Sequence, residues 1–531
     1  MELFSLQYFL FISILMVLYY VLPRVFPAAA RFGWVILLAA SLGFYVFSSG
    51  AALLFLLITA VTVWYGGRLL ADCDERWQRL RREGFPSKEA KRAAKAGITH
   101  RKKRILTAVL ILNFGILAAL KYAAPLLWHK NGGLLLPLGI SFYTFQSVSY
   151  LIDQYRGKYP AEASFGRFLL FASWFPQLLQ GPIGRYDRLR DSLFKTGSFD
   201  AERTKRALLR ILYGLVKKYA VADMLTGSIA AVLDQGEIGN LPGSLVAFAI
   251  LLYSAQQYGD FSGGIDIVTG VSALFGIELA PNFRQPYFAV SLGDFWRRWH
   301  ISLGAWMRDY LFYPFALLPF MQRLGKWCTG RLGAAGKHLG RVLPAGLANL
   351  VVFAVVGIWH GPQLHYLLWG LYNGTVIALS DLTKPLWKGL SARLHLRTDS
   401  DTFRIFRIVR TFVIVNLGWY LDRIADMKDC RTAFAVTLTR FHLKELPHSI
   451  QTQILAGTSA FNIAGAYVLA GLGILVIFLV SIQKERGEDV YGRLQGIRFV
   501  PRMAVIVFLM LLVTASFLFT ETSGGFIYAN F

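Results

Sequence analysis

The sequence predicts an all-α polytopic membrane protein, and three observations support that fold class. Hydrophobic residues make up 55% of the 531 residues and charged residues only 16%, whereas soluble domains carry roughly 25% charged residues. Apolar runs of the length needed to cross a bilayer recur along the chain. Charged residues collect between those runs. We therefore expect a single membrane domain over residues 1–531, with about 11 transmembrane helices around a core of short re-entrant ones.

The order of the apolar runs predicts where these helices lie. The first three runs are at residues 6–22, 35–47 and 51–64. Further runs begin at Ile105, Leu134, Phe168, Ala207, Leu245, Leu311, Leu343, Leu364, Ile405, Phe461 and Met503. Several of these are too short or too polar to span alone. Irregular backbone at membrane depth is tolerated only within protein or beside a hydrated cavity, so we assign these runs to the core.

Residues 68–104 carry many Lys and Arg side chains and predict the orientation of the chain. Cytoplasmic loops of membrane proteins are enriched in these residues, so we expect this segment to be a basic cytoplasmic loop. Each preceding span crosses the membrane once, so the link at residues 48–50, one span before this segment, lies outside the cell. The link with Arg24 and Arg31 then lies inside, and the amino terminus lies outside.

The net charge and the cysteines exclude several other classes of protein. The formal net charge of +25 is explained mainly by cytoplasmic loops, and no stripe of basic and aromatic residues indicates a nucleic-acid surface. The three cysteines are Cys73, Cys328 and Cys430. They show neither CxxC spacing nor a metal-binding pattern with histidine, so we expect no disulfide and no metal site.

Residues 291–310 are the most informative stretch of the sequence. Ser291 and Asp294 form an S-x-x-D helix start, and Pro314 is a plausible end of the same helix. One face of such a helix carries Asp294, Arg297, His300, Gly304 and Arg308, flanked by Arg298, Ser302 and Asp309. A charge at the centre of a membrane helix costs about 2.5–3.5 kcal/mol, so this face should line a hydrated cavity or the cytoplasmic surface. The alternative is an amphipathic surface helix with structural salt bridges, such as Asp294 with Arg298.

His360 lies between two apolar runs, directly before Gly361 and Pro362, which break a helix. A neutral imidazole at such a joint can accept a proton from a hydroxyl group and pass it on. The alternative is a structural histidine that is bonded to a carbonyl. His365, which follows the break, is expected at the membrane interface.

Several further motifs follow one another along the chain, at residues 137–147, 152–157, 175–182, 260–266, 282–286 (NFRQP), 295–303 (FWRRWHISL) and 357–361 (GIWHG). In this order they resemble the motifs of the membrane-bound O-acyltransferase (MBOAT) family, in the bacterial branch of alginate O-acetylase and its relatives. The chain departs from the family at residues 421–423, after residues 262–263, and in its aromatic tail.

The resemblance implies a ring of transmembrane helices around a thinned centre, in which an acyl group passes from a cytoplasmic donor to a hydroxyl. It aligns His360 with the essential histidine of the family and His300 with its second signature histidine. Candidate substrate-binding residues are Asp294, Arg297, Arg298, Ser302, Arg308, Asn282 and Trp359. Tyr528, in the tail, is a candidate for acyl relay or docking, or else an interfacial anchor.

The function expected from this resemblance is O-acetylation of an exported polysaccharide at a bacterial cytoplasmic membrane. Acetyl-CoA would be a co-substrate, with no bound cofactor, and an extracytoplasmic acyltransferase partner protein is expected. One alternative is the transfer of D-alanine from a carrier protein to teichoic acid. An alternative of another class is a transporter or flippase, although the inverted repeats common in transporters are not evident in the sequence.

Overall fold

The structure, a computed structural model, describes residues 5–26, 32–123, 137–234, 236–454 and 460–519. Within those residues it contains helices, turns and loops and no strand, which confirms the predicted all-α class. The chain forms two compact units. The first comprises Met1–Leu208 with Val268–Ala280, and the second comprises Leu209–Ile267 with Pro281–Phe531.

Six helical stretches among the described residues are long and apolar enough to cross a bilayer. They are Leu6–Val25, Gly33–Glu83, Lys88–Tyr122, Ala335–His360, Ala464–Glu485 and Phe499–Phe519. The chain is therefore a multi-pass membrane protein. The expected number of about 11 spans stays a prediction, because the other predicted runs that the structure describes form helices that are shorter or more polar than this criterion requires. The run predicted from Leu134 begins outside the described residues.

The first unit begins with the helices that the first apolar runs predict. In chain order its helices are α1 (Leu6–Val25), α2 (Gly33–Ser49), α3 (Leu53–Glu83), α4 (Lys88–Ala118), α5 (Ile140–Tyr155), α6 (Phe165–Ser173), α7 (Phe175–Gln180), α8 (Tyr186–Phe194) and the first part of α9 (Ala201–Leu215). The 3₁₀ turn Gly50–Ala52 joins α2 to α3.

The basic segment at residues 68–104 is not a loop, which corrects the prediction. Helix α3 continues to Glu83, and α4 begins at Lys88 after a turn in which Gly84 has φ 86° and Ser87 caps α4. Arg, Lys, Glu and Ala are strong helix formers, so the charged part of each helix remains helical beyond the apolar part. The basic segment is a helical hairpin.

The second unit contains the remaining helices. They are the end of α9, α10 (Met224–Leu233), α11 (Gly243–Leu274, as far as Ile267), α12 (Leu292–Arg298), α13 (Ile301–Met307), α14 (Tyr313–Ala316), α15 (Pro319–Arg331), α16 (Gly333–His360), α17 (Leu364–Leu382), α18 (Lys384–Arg393), α19 (Asp401–Arg423), α20 (Met427–Thr439), α21 (Leu446–Ser449), α22 (Ala460–Glu485), α23 (Val490–Gly496) and α24 (Phe499–Phe519). The described part of this unit also has three π-helical segments, which are Val216–Asp223 after α9, Arg308–Phe312 after α13 and Ile450–Ile454 after α21.

Helices α16 and α17 form a tightly packed hairpin whose tip is at His360. A Cβ atom at Gly370 would lie 2.1 Å from the carbonyl oxygen of Phe353, and one at Gly357 would lie 2.4 Å from that of Tyr366. Small residues allow membrane helices to approach backbone to backbone, and these glycines make that approach possible here. The hairpin is thus a close-packed support for the residues at its tip.

Buried ion pairs join α11 to the π-helical segment Val216–Asp223. Lys217 lies 2.8 Å from Asp266, and Lys218 lies 2.7 Å from Asp260 and 2.9 Å from Asp223. All five side chains are at most 9% exposed. Removing one partner of a buried ion pair leaves an uncompensated charge, which typically costs about 3–5 kcal/mol. These pairs therefore fix α11, which packs against the site described next.

Candidate active site

The polar stretch begins as predicted but does not form one helix. The Ser291 side chain accepts a hydrogen bond from the backbone N–H of Asp294 and caps α12. Helix α12 ends at Arg298, and His300 then adopts a left-handed conformation with φ 47° before α13 begins. The predicted continuous helix, with its single polar face, is therefore wrong. Pro314 lies in the first turn of α14 and does not end a longer helix.

The break is held by a loop that precedes it in the chain. The backbone N–H of Arg284 donates to the carbonyl of Arg298 at 2.9 Å, and that of Ile301 donates to the carbonyl of Asn282 at 3.0 Å. The side-chain oxygen of Asn282 also accepts bonds from the N–H and the hydroxyl of Ser302, at 3.0 and 2.8 Å. These tertiary bonds replace those that a continuous helix would have made.

His300 is buried at this break, outside the six apolar spans. Its side chain is 3% exposed, its Nδ1 lies 3.3 Å from the side-chain oxygen of Asn282, and its ring meets the ring of Phe261 edge-on at 4.8 Å. Burial disfavours the charged imidazolium and lowers the pKa of His300 to about 3. His300 is therefore neutral at physiological pH.

His360 ends α16 where the Gly361–Pro362 break was predicted. It is 6% exposed, and its ring lies 5.0 Å from the ring of Trp359 and 5.0 Å from that of Trp369. Trp359 also lies 6.2 Å from the ring of His300. The structure thus brings the two predicted histidines to the same tryptophan.

His365, which was expected at the membrane interface, is buried within the protein. Its side chain is 3% exposed, and its Nδ1 lies 2.9 Å from the carbonyl oxygen of Leu421. This bond ties the start of α17 to the end of α19. His365 therefore serves as a structural residue beside the hairpin tip.

A cavity of about 790 Å³ lies beside His300 in the second unit. Four of the predicted site residues line it, namely Asp294, Arg297, His300 and Arg308. The other described candidates lie outside its lining, and these are Asn282, Arg298, Ser302, Trp359 and His360. Tyr528 lies outside the described residues.

The cavity follows the α16–α17 hairpin. At one end it reaches Asp381 and Lys384, where α17 gives way to α18, together with Arg407 of α19. At the other end it reaches Val356, one helical turn before His360, or about 6 Å along the axis. Lys384 and Arg407 were missed by the sequence analysis, although basic residues at the ends of an apolar hairpin are a usable signal.

Arg298 supports the site instead of facing the cavity. Its guanidinium lies 3.1 Å from Asp294, as the salt-bridge alternative predicts, and 2.7 Å from Glu485 at the end of α22. Glu485 also binds Arg404 at 3.2 Å. Together with the bonds between Asn282 and Ser302, these contacts connect α12, α19 and α22 and hold the walls of the cavity.

The fold and the site define a class of protein: a multi-pass membrane enzyme with two buried histidines beside a basic cavity. The family model of the membrane-bound O-acyltransferases matches residues 162–326. The chain belongs to this family and is an O-acyltransferase.

The chain is similar along its length to a protein of Azotobacter vinelandii named "Probable alginate O-acetylase", with 28% identity over 98% of both chains. A protein of Pseudomonas syringae with the same name is 31% identical over 67% of this chain and 61% of its own length. A "Teichoic acid D-alanyltransferase" of Bacillus subtilis is 27% identical over 55% of this chain and 70% of its own.

Proposed function

We propose that this enzyme transfers an acetyl group from acetyl-CoA on the cytoplasmic side to hydroxyl groups of an exported cell-surface polysaccharide, with His360 as the general base. The similarity to proteins named alginate O-acetylase supports acetyl as the acyl group. An extracytoplasmic acyltransferase is the expected partner protein at the outer face of a bacterial cytoplasmic membrane.

This proposal is supported mainly by the 790 Å³ cavity, which extends along the α16–α17 hairpin. The end of the hairpin remote from its tip is basic, with Lys337 and Arg341 in α16 and Lys384 after α17. Basic helix ends of membrane proteins face the cytoplasm. The cavity would therefore admit a cytoplasmic donor and lead it to within one turn of His360.

The two histidines differ in a way that suits two roles. His300 lines the cavity together with Arg297 and Arg308, whose charges favour an anionic donor or a developing oxyanion. His360 lies beyond that lining, at the tip that faces away from the basic end. We therefore assign His300 to the donor side as a supporting residue and His360 to the acceptor.

The chemistry needs one proton transfer and one acyl transfer. The neutral imidazole of His360 takes the proton of the acceptor hydroxyl while that oxygen attacks the thioester carbonyl. The bond between the carbonyl carbon and sulfur then breaks, and the proton on the imidazole passes to the departing thiolate. The products are the acetyl ester and free CoA.

The role of His360 is tested by His360→Ala in membranes with matched expression. Loss of a general base typically slows a reaction about 10²–10⁴-fold, so we expect acetyl transfer to fall below detection while the protein still inserts. His300→Ala should retain residual activity with a higher KM for acetyl-CoA. Ester formation from radiolabelled acetyl-CoA measures both.

His365→Ala is the matched control, because it removes a buried imidazole five residues from His360 whose Nδ1 is already bonded to the backbone carbonyl of Leu421. It should keep measurable transfer. A His360→Ala variant near the wild-type rate would refute the base assignment, and an inactive His300→Ala beside it would mean that the two roles are exchanged. Transfer from a D-alanyl carrier protein, but not from acetyl-CoA, would favour the D-alanyl alternative.

A further inference from the structure

A second, smaller cavity in the second unit has strongly polar walls. It measures about 50 Å³, and one water molecule needs about 10–15 Å³, so it has room for a small polyatomic ligand. Its charged lining residues are Arg210, Lys217, Asp266 and Lys484. None of these residues was predicted as part of a site.

The charges around this small cavity do not balance. Asp266 binds both Lys217, at 2.8 Å, and Arg210, at 2.9 Å. Lys484 lies over the rings of Tyr213 and Tyr491, each at 5.3 Å, and it has no carboxylate partner among the described residues. Three cations thus face one carboxylate. Lys217 is buried and Arg210 and Lys484 are partly exposed, and an excess of positive charge at such a partly buried site is costly unless an anion joins it.

The neighbouring acidic residues do not supply the missing negative charge. Asp260 and Asp223 both bind Lys218, and neither lines the small cavity. Glu485, next to Lys484, binds Arg298 and Arg404. These three carboxylates are therefore already engaged. Glu488 binds Arg493, and the Asp489 side chain accepts a hydrogen bond from the backbone N–H of Gly492.

Asn282 adds a hydrogen-bond donor to the same wall. It lines the small cavity and is 1% exposed. Its side-chain oxygen must be the atom that faces Ser302, because the backbone N–H of Ser302 can only donate. Its side-chain nitrogen then has no acceptor among the described residues. Buried hydrogen-bond donors normally have an acceptor, and next to an excess of cations the favoured acceptor is an anion.

We propose that this cavity binds a phosphate-sized oxyanion, held by Arg210, Lys217 and Lys484 and by a hydrogen bond from Asn282. The anion would fix the amide whose oxygen positions Ser302 and the backbone around His300. It is either free inorganic phosphate or a phosphate group of the acyl donor. A phosphate group of the acyl donor as the occupant rests on the proposed function, whereas free inorganic phosphate does not.

Binding of inorganic phosphate to the purified protein in lipid nanodiscs tests the site directly. Isothermal titration calorimetry should show binding to the wild type. Lys484→Gln removes one cation and should weaken binding roughly tenfold or more, as expected for the loss of a bond between charged groups. Asn282→Asp keeps the acceptor for Ser302 but places a carboxylate against the cavity, so it should abolish binding. Lys444→Gln makes the same charge change at an exposed residue and should bind like the wild type.

Donor kinetics distinguish the two sources of the anion. If the donor supplies the phosphate, Lys484→Gln should raise the KM for acetyl-CoA roughly tenfold or more and leave that for S-acetylpantetheine, which has no phosphate, unchanged. Inorganic phosphate should then compete with acetyl-CoA. If free phosphate is the occupant, it should bind without competing with the donor.

Two results would overturn the proposal. One is the absence of phosphate binding to the wild type together with unchanged KM values for both donors in Lys484→Gln. The other is equal phosphate affinity in the wild type, Lys484→Gln and Asn282→Asp, with all three shown to be folded by thermal unfolding. Phosphate binding without acetyl transfer from either donor would refute the proposed function alone and support the anion site.

Discussion

At the scale of single residues, His300 combines two features that each cost stability. A left-handed conformation for a residue other than glycine costs about 1–3 kcal/mol, and such strain persists only where the surroundings enforce it, often at functional sites. Here the enforcing contacts are the hydrogen bonds that Asn282 accepts from the backbone N–H groups of Ile301 and Ser302. His300 is also buried and has its pKa lowered to about 3. We infer that the role of His300 depends on its position in the cavity wall.

The lowered pKa predicts a dependence of stability on pH. Below its usual value of 6.5 the unfolded chain binds a proton at His300, whereas the folded protein does not bind it until about pH 3. Acid therefore favours the unfolded state, and this residue should lower the free energy of unfolding by about 1.4 kcal/mol per pH unit between those values. His300→Gln should lose this contribution. Thermal unfolding of the wild type and of His300→Gln between pH 7 and pH 4 measures this contribution. If the stability of both proteins falls equally with pH, His300 is not buried in its neutral state.

At the scale of elements, the α16–α17 hairpin depends on glycines at its contact. Gly370→Ala would place a methyl group against the backbone of Phe353, so the two helices must separate. Overpacking of this kind typically costs about 1–3 kcal/mol. Because Trp369 and Trp359 contact His360, the shift should also reduce acetyl transfer. Thermal unfolding and the transfer assay in one preparation measure both effects.

Gly471→Ala is the matched control for Gly370→Ala. It makes the same substitution in the apolar helix α22, where an added Cβ meets nothing within 4 Å. Its stability should match or slightly exceed that of the wild type, since alanine is the better helix former. Equal losses of stability and of acetyl transfer in Gly370→Ala and Gly471→Ala would show that the hairpin contact has no special role.

At the scale of the whole molecule, the basic helical hairpin predicts the orientation of the chain. Ala51 and Arg79 lie at opposite ends of the helix α3 region, and both are exposed. The three native thiols are buried, so a single introduced cysteine can report on each side. A membrane-impermeant thiol reagent should label Ala51→Cys in intact cells and Arg79→Cys only after lysis. The reverse pattern would invert the assigned topology, including the outward amino terminus.

Local chemistry explains why much of the fold could be predicted from the sequence. The apolar runs that became α1, α2 and the α16–α17 hairpin are properties of contiguous residues, and so are the Ser291 cap and the break after His360. The family motifs likewise identified both histidines. Each of these signals lies within one stretch of chain and does not depend on distant contacts.

Only the tertiary structure decided how these parts meet. Residues 291–310 have the pattern of one helix, yet the loop at residues 282–284 bonds to their backbone and breaks it at His300. Trp359 brings His300 and His360 together although 60 positions separate them in the sequence. The ion pair of Lys217 with Asp266 and the two cavities likewise join segments far apart in the chain. Helix formation follows from local periodicity and composition, whereas a cavity and its charge balance follow from long-range packing that no single segment encodes.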